Sequence, residues 1–260
     1  MTTKKAAKET AVVAKKQETA LINPEAYSDL MDDTPVDKRD FLIPKLLLMQ
    51  SMSPLVQEEK ARTGEIRDSI DGKKITDKEG ILEIIPFAVY KTWVTLTKEG
   101  SEFVDQVPVT PYNYEMEREG TRNGVAVLNY ETINYYCLLP EEIKNGMFMP
   151  YVVSFRSTSY KAGKTLETHR ARLQEFGKPL PFKTFNLGCV SRTNDKGTFY
   201  VYTIAESRNS TEEELNAVKH WNRLIKAGET KVDDSDLSER TAVDMEETRE
   251  EGDIAESDKY

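Results

Sequence analysis

The sequence predicts a mainly β body with a few helices, built as an antiparallel Greek-key barrel between two segments that have little to fold around. Three observations lead there. Short apolar runs broken by turn residues recur along the middle of the chain, and the last of them alternates with period two. Nearly all the aromatic residues lie between Phe87 and Trp221, so the first 40 and last 32 residues have little to bury. The formal charge of −9 is also uneven: residues 229–260 hold thirteen acidic and four basic side chains, which leaves residues 1–228 neutral.

Taken in order, residues 1–40 open with "MTTKKAAKETAVVAKKQETA", rich in Lys, Ala, Thr and Glu, and read as a disordered arm. "FLIPKLLLMQ" has strand length, and Pro44 favours an edge or strand-start position because it cannot donate to a ladder. Asp71-Gly72, between Ile70 and Ile75, is a hairpin signal. "GILEIIPFAVYKTWVTL" reads as one strand with a bulge or bend at Pro86. "GVAVLNYETINYYCLLP", "MPYVVSF", "FKTFNLGCVSR" and "GTFYVYTIAES" follow as strands, with Asp195-Lys196-Gly197 as the turn before the last. In that last strand Tyr200, Tyr202 and Ile204 alternate with Phe199, Val201 and Thr203, which predicts one face in the core and one face available. A helix is predicted over 210–227, with Ser210 and Glu213 as a capping box, Leu215, Val218, Trp221 and Ile225 on one face, and Gly228 as the stop. Residues 41–228 thus form the body and 229–260 an acidic tail.

A helix inserted between "MPYVVSF" and "FKTFNLGCV", with another at the end, is the arrangement of an OB-fold. The chain has no apolar run of 18 residues and no charged-then-apolar leader, so neither a membrane span nor a signal peptide is expected and the protein reads as soluble and intracellular. Cys137 and Cys189 are the only cysteines and His169 and His220 the only histidines, with no C-x-x-C. No metal site and no cofactor are therefore expected.

Gly163-Lys164-Thr165, in "STSYKAGKTLETHRARL", invites comparison with a phosphate-binding loop. That motif needs a glycine five residues before the lysine's own glycine, and the position holds Thr158. No apolar run ending in an aspartate is present to hold Mg²⁺, so the lysine has another role. Between 155 and 192 stand eight basic residues (Arg156, Lys161, Lys164, Arg170, Arg172, Lys178, Lys183, Arg192) against two acidic ones, Glu167 and Glu175. A groove for a single strand of nucleic acid needs cations to follow the phosphates and aromatic faces for the bases. Tyr160, Phe182 and Phe185 are interleaved with the cations, and neighbouring strands add Tyr90, Trp93, Tyr200 and Tyr202. Lys161 and Lys164 are expected to reach phosphates from a flexible loop. A place in the core is the ordinary fate of any single one of these aromatics, so the argument rests on the cluster.

The tail ends "DIAESDKY", an acidic run closed by a lone aromatic residue. At this point the chain resembles the single-stranded DNA-binding proteins of bacteriophage replication and recombination, which have an OB-fold body and an acidic C-terminal tail ending in an aromatic. The resemblance implies a tail that competes with DNA for the basic groove and docks a polymerase, helicase or primase, with Asp253, Glu256, Asp258 and Tyr260 at the docking end. It also implies a place in the cytoplasm of the infected bacterial host. A homo-oligomer is compatible with it. "FLIPKLLLMQSMSPLV" with "TGEIRDSIDG", over residues 41–72, is similar to the opening of uncharacterised phage proteins.

Two other classes compete. A nuclease or hydrolase would need clustered acids in the body or a Cys–His pair; Cys189 and His169 or His220 could meet in space, but a buried inert cysteine is the ordinary reading and the chain reads as a non-enzyme. A non-catalytic phage protein could instead use the acidic tail as a mimic of DNA and bind host or phage proteins.

Overall fold

The computed structural model describes residues 42–226 except 100, 101, 147 and 196, together with the backbone of residues 231–232. The predicted arm and nearly all of the predicted tail, including Asp253, Glu256, Asp258 and Tyr260, lie outside the described residues.

The elements run β1 (Leu42–Ile43), β2 (Lys45–Leu48), α1 (Pro54–Gln57), β3 (Ile66–Asp68), β4 (Leu82–Thr97), β5 (Phe103–Pro108), β6 (Glu119–Arg122), β7 (Val125–Leu138), α2 (Pro140–Lys144), β8 (Tyr151–Phe155), α3 (Tyr160–Glu175), β9 (Lys183–Asn194), β10 (Gly197–Asn209), α4 (Glu212–Lys226) and β11 (Lys231–Val232). The protein is mainly β, as predicted, and nine strands form one sheet that curls into a half-barrel in the order β10-β9-β4-β7-β8-β2-β3, with β5 beside β4 and β6 beside β7. A separate parallel pair joins β1 to β11.

The long strands β4 and β7 are the spine, paired antiparallel from Ile85 and Leu138 to Thr97 and Val127. At one end they are flanked by β9 and β8, at the other by β5 and β6. The second set is a four-stranded arm with its own small core of Val94, Leu96, Leu128 and Tyr130, packed by Phe103. Pro86 lies where the β4–β7 register shifts. The predicted bulge is therefore present, because a residue with no N–H cannot serve the ladder.

The sheet is not antiparallel throughout. β2 and β8 run parallel, with Lys45 opposite Val152 and Leu46 opposite Val153, because the chain crosses much of the sheet before returning to the flank of β2. The half-barrel is drawn together by side chains: the Tyr202 hydroxyl donates to the Leu46 carbonyl at 2.8 Å, and the Gln50 amide binds the backbone of Tyr200. The expectation of a free face on β10 is corrected too. Phe199 and Val201 are buried as well as Tyr202, so both faces of the strand are packed.

The main core lies between the curled sheet and α3 and includes Ile133, Tyr135, Phe155, Leu166, Phe185 and Leu187. α3 approaches closely because its Gly163 has no side chain: a Cβ there would lie 2.8 Å from Phe155 Cβ. The opposite face of the spine packs Ile85 and Leu138 against Ile143, Ala217 and Val218 of α2 and α4. The capping box of α4 stands one residue beyond its predicted place. The Thr211 N–H donates to Glu214 Oε2 at 2.7 Å and the Glu214 N–H to Thr211 Oγ1 at 3.3 Å, while Ser210 Oγ donates to the Pro181 carbonyl at 2.6 Å.

Candidate nucleic-acid interface

The Gly163-Lys164-Thr165 triplet lies inside α3, not in a loop. Thr165 Oγ1 donates to the Lys161 carbonyl at 3.1 Å, one turn back, and Gly163 is pressed on Phe155. Backbone N–H groups committed to helical bonds cannot wrap a phosphate. The expected flexible loop is corrected in the same way: Lys161 and Lys164 project from a rigid helix.

Helical geometry places residues three and four apart on one face. Lys161, Lys164, Thr168, Arg172 and Phe176 follow that spacing from the first turn to the C-cap, and all five are exposed. The three cations form no ion pair with any described acid. Lys164 Nζ rests 5.1 Å from the centre of the Tyr160 ring, a cation–π contact that aims the ammonium. Phe176, at the end of this stripe, is 78 % exposed. It escapes a sequence reading because it continues the apolar spacing of Leu166, His169 and Leu173, yet the helix ends one residue before it. Lys178 is also exposed, just beyond.

Beneath the stripe is a polar network that anchors it. Tyr160 Oη donates to Glu131 Oε2 at 2.5 Å and Lys91 Nζ to Glu131 Oε1 at 2.8 Å. Tyr135 donates its hydroxyl to Glu167, which Arg170 also holds at 2.6 Å. Burial opposes the charge on Glu131, but the bonds from Lys91 and Tyr160 and the charges of Lys91 and Lys164 outweigh it, so its carboxyl lies below the ordinary value. Glu167 is lowered likewise, against burial, by Arg170, Tyr135 and Lys91. Glu131 could not be assigned from sequence, since its partners come from β4 and α3 and meet only in the fold; for Glu167 the Arg170 pair is local, three residues along the helix, and the fold adds Tyr135.

The other predicted site residues divide. Arg170 is engaged by Glu167, and Lys183 by Glu206 at 2.6 Å. Arg156 is half-buried ahead of α3, and Arg192 is exposed near the far end of β9, about 30 Å along the strand from Lys183 at some 3.3 Å per residue. Stacking on Phe185 is excluded by its complete burial. Trp93 is buried, with Nε1 donating to the Asn113 carbonyl at 2.8 Å. Tyr90 faces away from α3 and packs on Tyr136, ring centres 5.3 Å apart. Tyr200 lies over Gly64, where a Cβ would come within 2.6 Å of the ring. Strands fill their cores with aromatics, and the rings predicted to meet bases are mostly spent there. Phe182 remains exposed.

Burial pushes the Cys137 and Cys189 thiols upward. Cys189 Sγ donates to the Gly64 carbonyl at 3.0 Å, while His169 rests on Phe185 and faces Glu206. Among the described residues no group of three or more His, Cys, Asp or Glu side chains could hold a metal ion, and no helix is long and apolar enough to cross a membrane.

A β body with a cationic helix lying across its curled sheet is the class of protein the fold defines. A family described as Pam3 phage gp34-like protein matches residues 12–231, and the chain belongs to it, a family of phage proteins. No curated protein and no solved structure matches the chain.

Proposed function

We propose that the protein is a non-catalytic, sequence-independent single-stranded DNA-binding protein of phage replication or recombination, acting in the host cytoplasm. The half-barrel serves as an OB-like scaffold for α3. The observation that carries the reading is the exposed stripe of Lys161, Lys164, Arg172 and Phe176, held in place by Tyr160 and Glu131. Cations on one rigid face can follow a phosphate backbone, and an exposed ring at the end can take a base. Residues 229–260 regulate access by competing for the same cations and dock a polymerase, helicase or primase through Asp253, Glu256, Asp258 and Tyr260.

The test is titration of a fluorescent oligothymidine with wild type and with Lys161→Glu/Lys164→Glu/Arg172→Glu at several salt concentrations. Wild type is expected to prefer the single strand to duplex, and the variant to bind all sequences more weakly. Its log–log salt slope should shrink by about 0.7 for each phosphate that is no longer neutralised. Equal or tighter binding to duplex at every salt concentration overturns the proposal. So does wild type that ignores DNA and binds DNA-binding proteins through its tail, the outcome a DNA mimic predicts.

A further inference from the structure

Between β5 and β6, at the end of the arm nearest the body, the chain makes a turn that displays two tyrosines. Tyr112 is 100 % and Tyr114 62 % exposed. Their display is built. Asn113 Oδ1 accepts the Thr110 N–H at 2.6 Å, its Nδ2 donates to the Pro108 carbonyl at 3.0 Å, and its own carbonyl receives Trp93 Nε1 at 2.8 Å. The leg that follows is fixed as well, since Asn129 Nδ2 donates to the Glu117 carbonyl and the Asn129 N–H to that of Arg118, both at 2.7 Å.

This turn is connected to the cationic stripe through a short run of neighbours. Trp93, which holds Asn113, stands opposite Glu131 in the β4–β7 register. Glu131 receives the Tyr160 hydroxyl, and Lys164 lies over the Tyr160 ring. The two features differ in charge. Between residues 102 and 119 stand Glu102, Asp105, Glu115, Glu117 and Glu119 against Arg118 alone, so the turn repels phosphates while offering ring faces.

We propose that Tyr112 and Tyr114 are the main base-stacking platform of the site, in addition to Phe176 at the end of the stripe, and that the charge difference sets the strand's orientation, phosphates over α3 and bases turned toward the arm. The inference rests on the single-stranded DNA reading above. Stacking does not depend on base identity, since every base has a π-face, and aromatic rings without nearby cations can hold bases only when another element holds the backbone. α3 supplies that element.

The experiment compares wild type, Tyr112→Ala/Tyr114→Ala and Tyr112→Phe/Tyr114→Phe on a labelled 20-nucleotide oligothymidine and on an abasic oligonucleotide of equal length. The alanine pair should lose about ten-fold or more in affinity for oligothymidine, keep the wild-type salt slope and bind the abasic strand as wild type does. The phenylalanine pair should match wild type on both. Equal loss on the abasic strand, a changed salt slope, or no loss at all overturns the stacking assignment while leaving the α3 reading in place. Failure of wild type to bind oligothymidine removes both.

Discussion

The side-chain amide of Gln50 binds both backbone groups of Tyr200, its Nε2 donating to the carbonyl at 2.7 Å and its Oε1 accepting the N–H at 2.9 Å. One side chain thereby does for β10 what a neighbouring strand would do, and it ties that edge to the end of β2.

Replacing Gln50 with alanine leaves a donor and an acceptor of Tyr200 without this partner. The expected cost is about 1–3 kcal/mol, because a half-buried pair loses its bonds without an apolar replacement. Denaturant unfolding followed by tryptophan fluorescence measures it, and an unchanged midpoint would mean that water replaces the amide at no cost.

Gly163→Ala tests the seat of α3. In an ordinary helix interior the change stabilises by about 1 kcal/mol. Here the new methyl would stand 2.8 Å from Phe155 Cβ, and overpacking of that kind costs about 1–3 kcal/mol. The melting temperature is expected to fall, and addition of Mg-ATP to wild type is expected to leave it unmoved. A rise in the variant would show that α3 can lift off the sheet.

The depressed carboxyls of Glu131 and Glu167 give a pH dependence with a definite sign. Groups lowered in the folded state stabilise it above their ordinary value, near 4.5, and that contribution is lost as pH falls through the folded value. Thermal stability should decline on acidification below about pH 5, and Glu131→Gln/Glu167→Gln should flatten the decline while costing stability at pH 7. A parallel acid profile in the double variant would place the titration elsewhere.

Removing residues 233–260, which leaves β11 in place, takes away a charge of −9. Affinity for oligothymidine should rise, most strongly in low salt, because exposed charges are screened beyond about 8 Å at physiological ionic strength. Unchanged or weaker binding by the truncated chain would reduce the tail to a solubilising segment.

Much of the strand inventory was legible because alternation and turn residues are local signals: the break at Pro86, the long β7 and the β9–β10 hairpin all appear where the pattern puts them. The arm was not legible. β5 and β6 are short, and "EGTR" has no apolar alternation, its four residues being exposed and carried only by pairing to β7. Parallel pairing of β2 with β8 leaves no mark on either segment. The cations of α3 were visible as a charge excess, but their sorting was not. Lys183 differs from Lys161 in having an acid, Glu206, brought to it by the fold, whereas Arg170 pairs with Glu167 three residues earlier on the same helix.

The parallel pairing of Leu42 with Lys231 and Ile43 with Val232 has a consequence for how the body can be cut and rejoined. Strands in a sheet lie about 4.8 Å apart, and because this pair is parallel a glycine-rich crossover of about a dozen residues can carry the chain from 232 back to the start of β1 at 42. New ends could then be opened at the exposed Asn123-Gly124 turn between β6 and β7, where both residues have positive φ, 52° and 81°. A circular permutant of this kind would keep every strand beside its present neighbours while changing the order in which the ribosome makes them, and would separate the requirements of the fold from those of its synthesis.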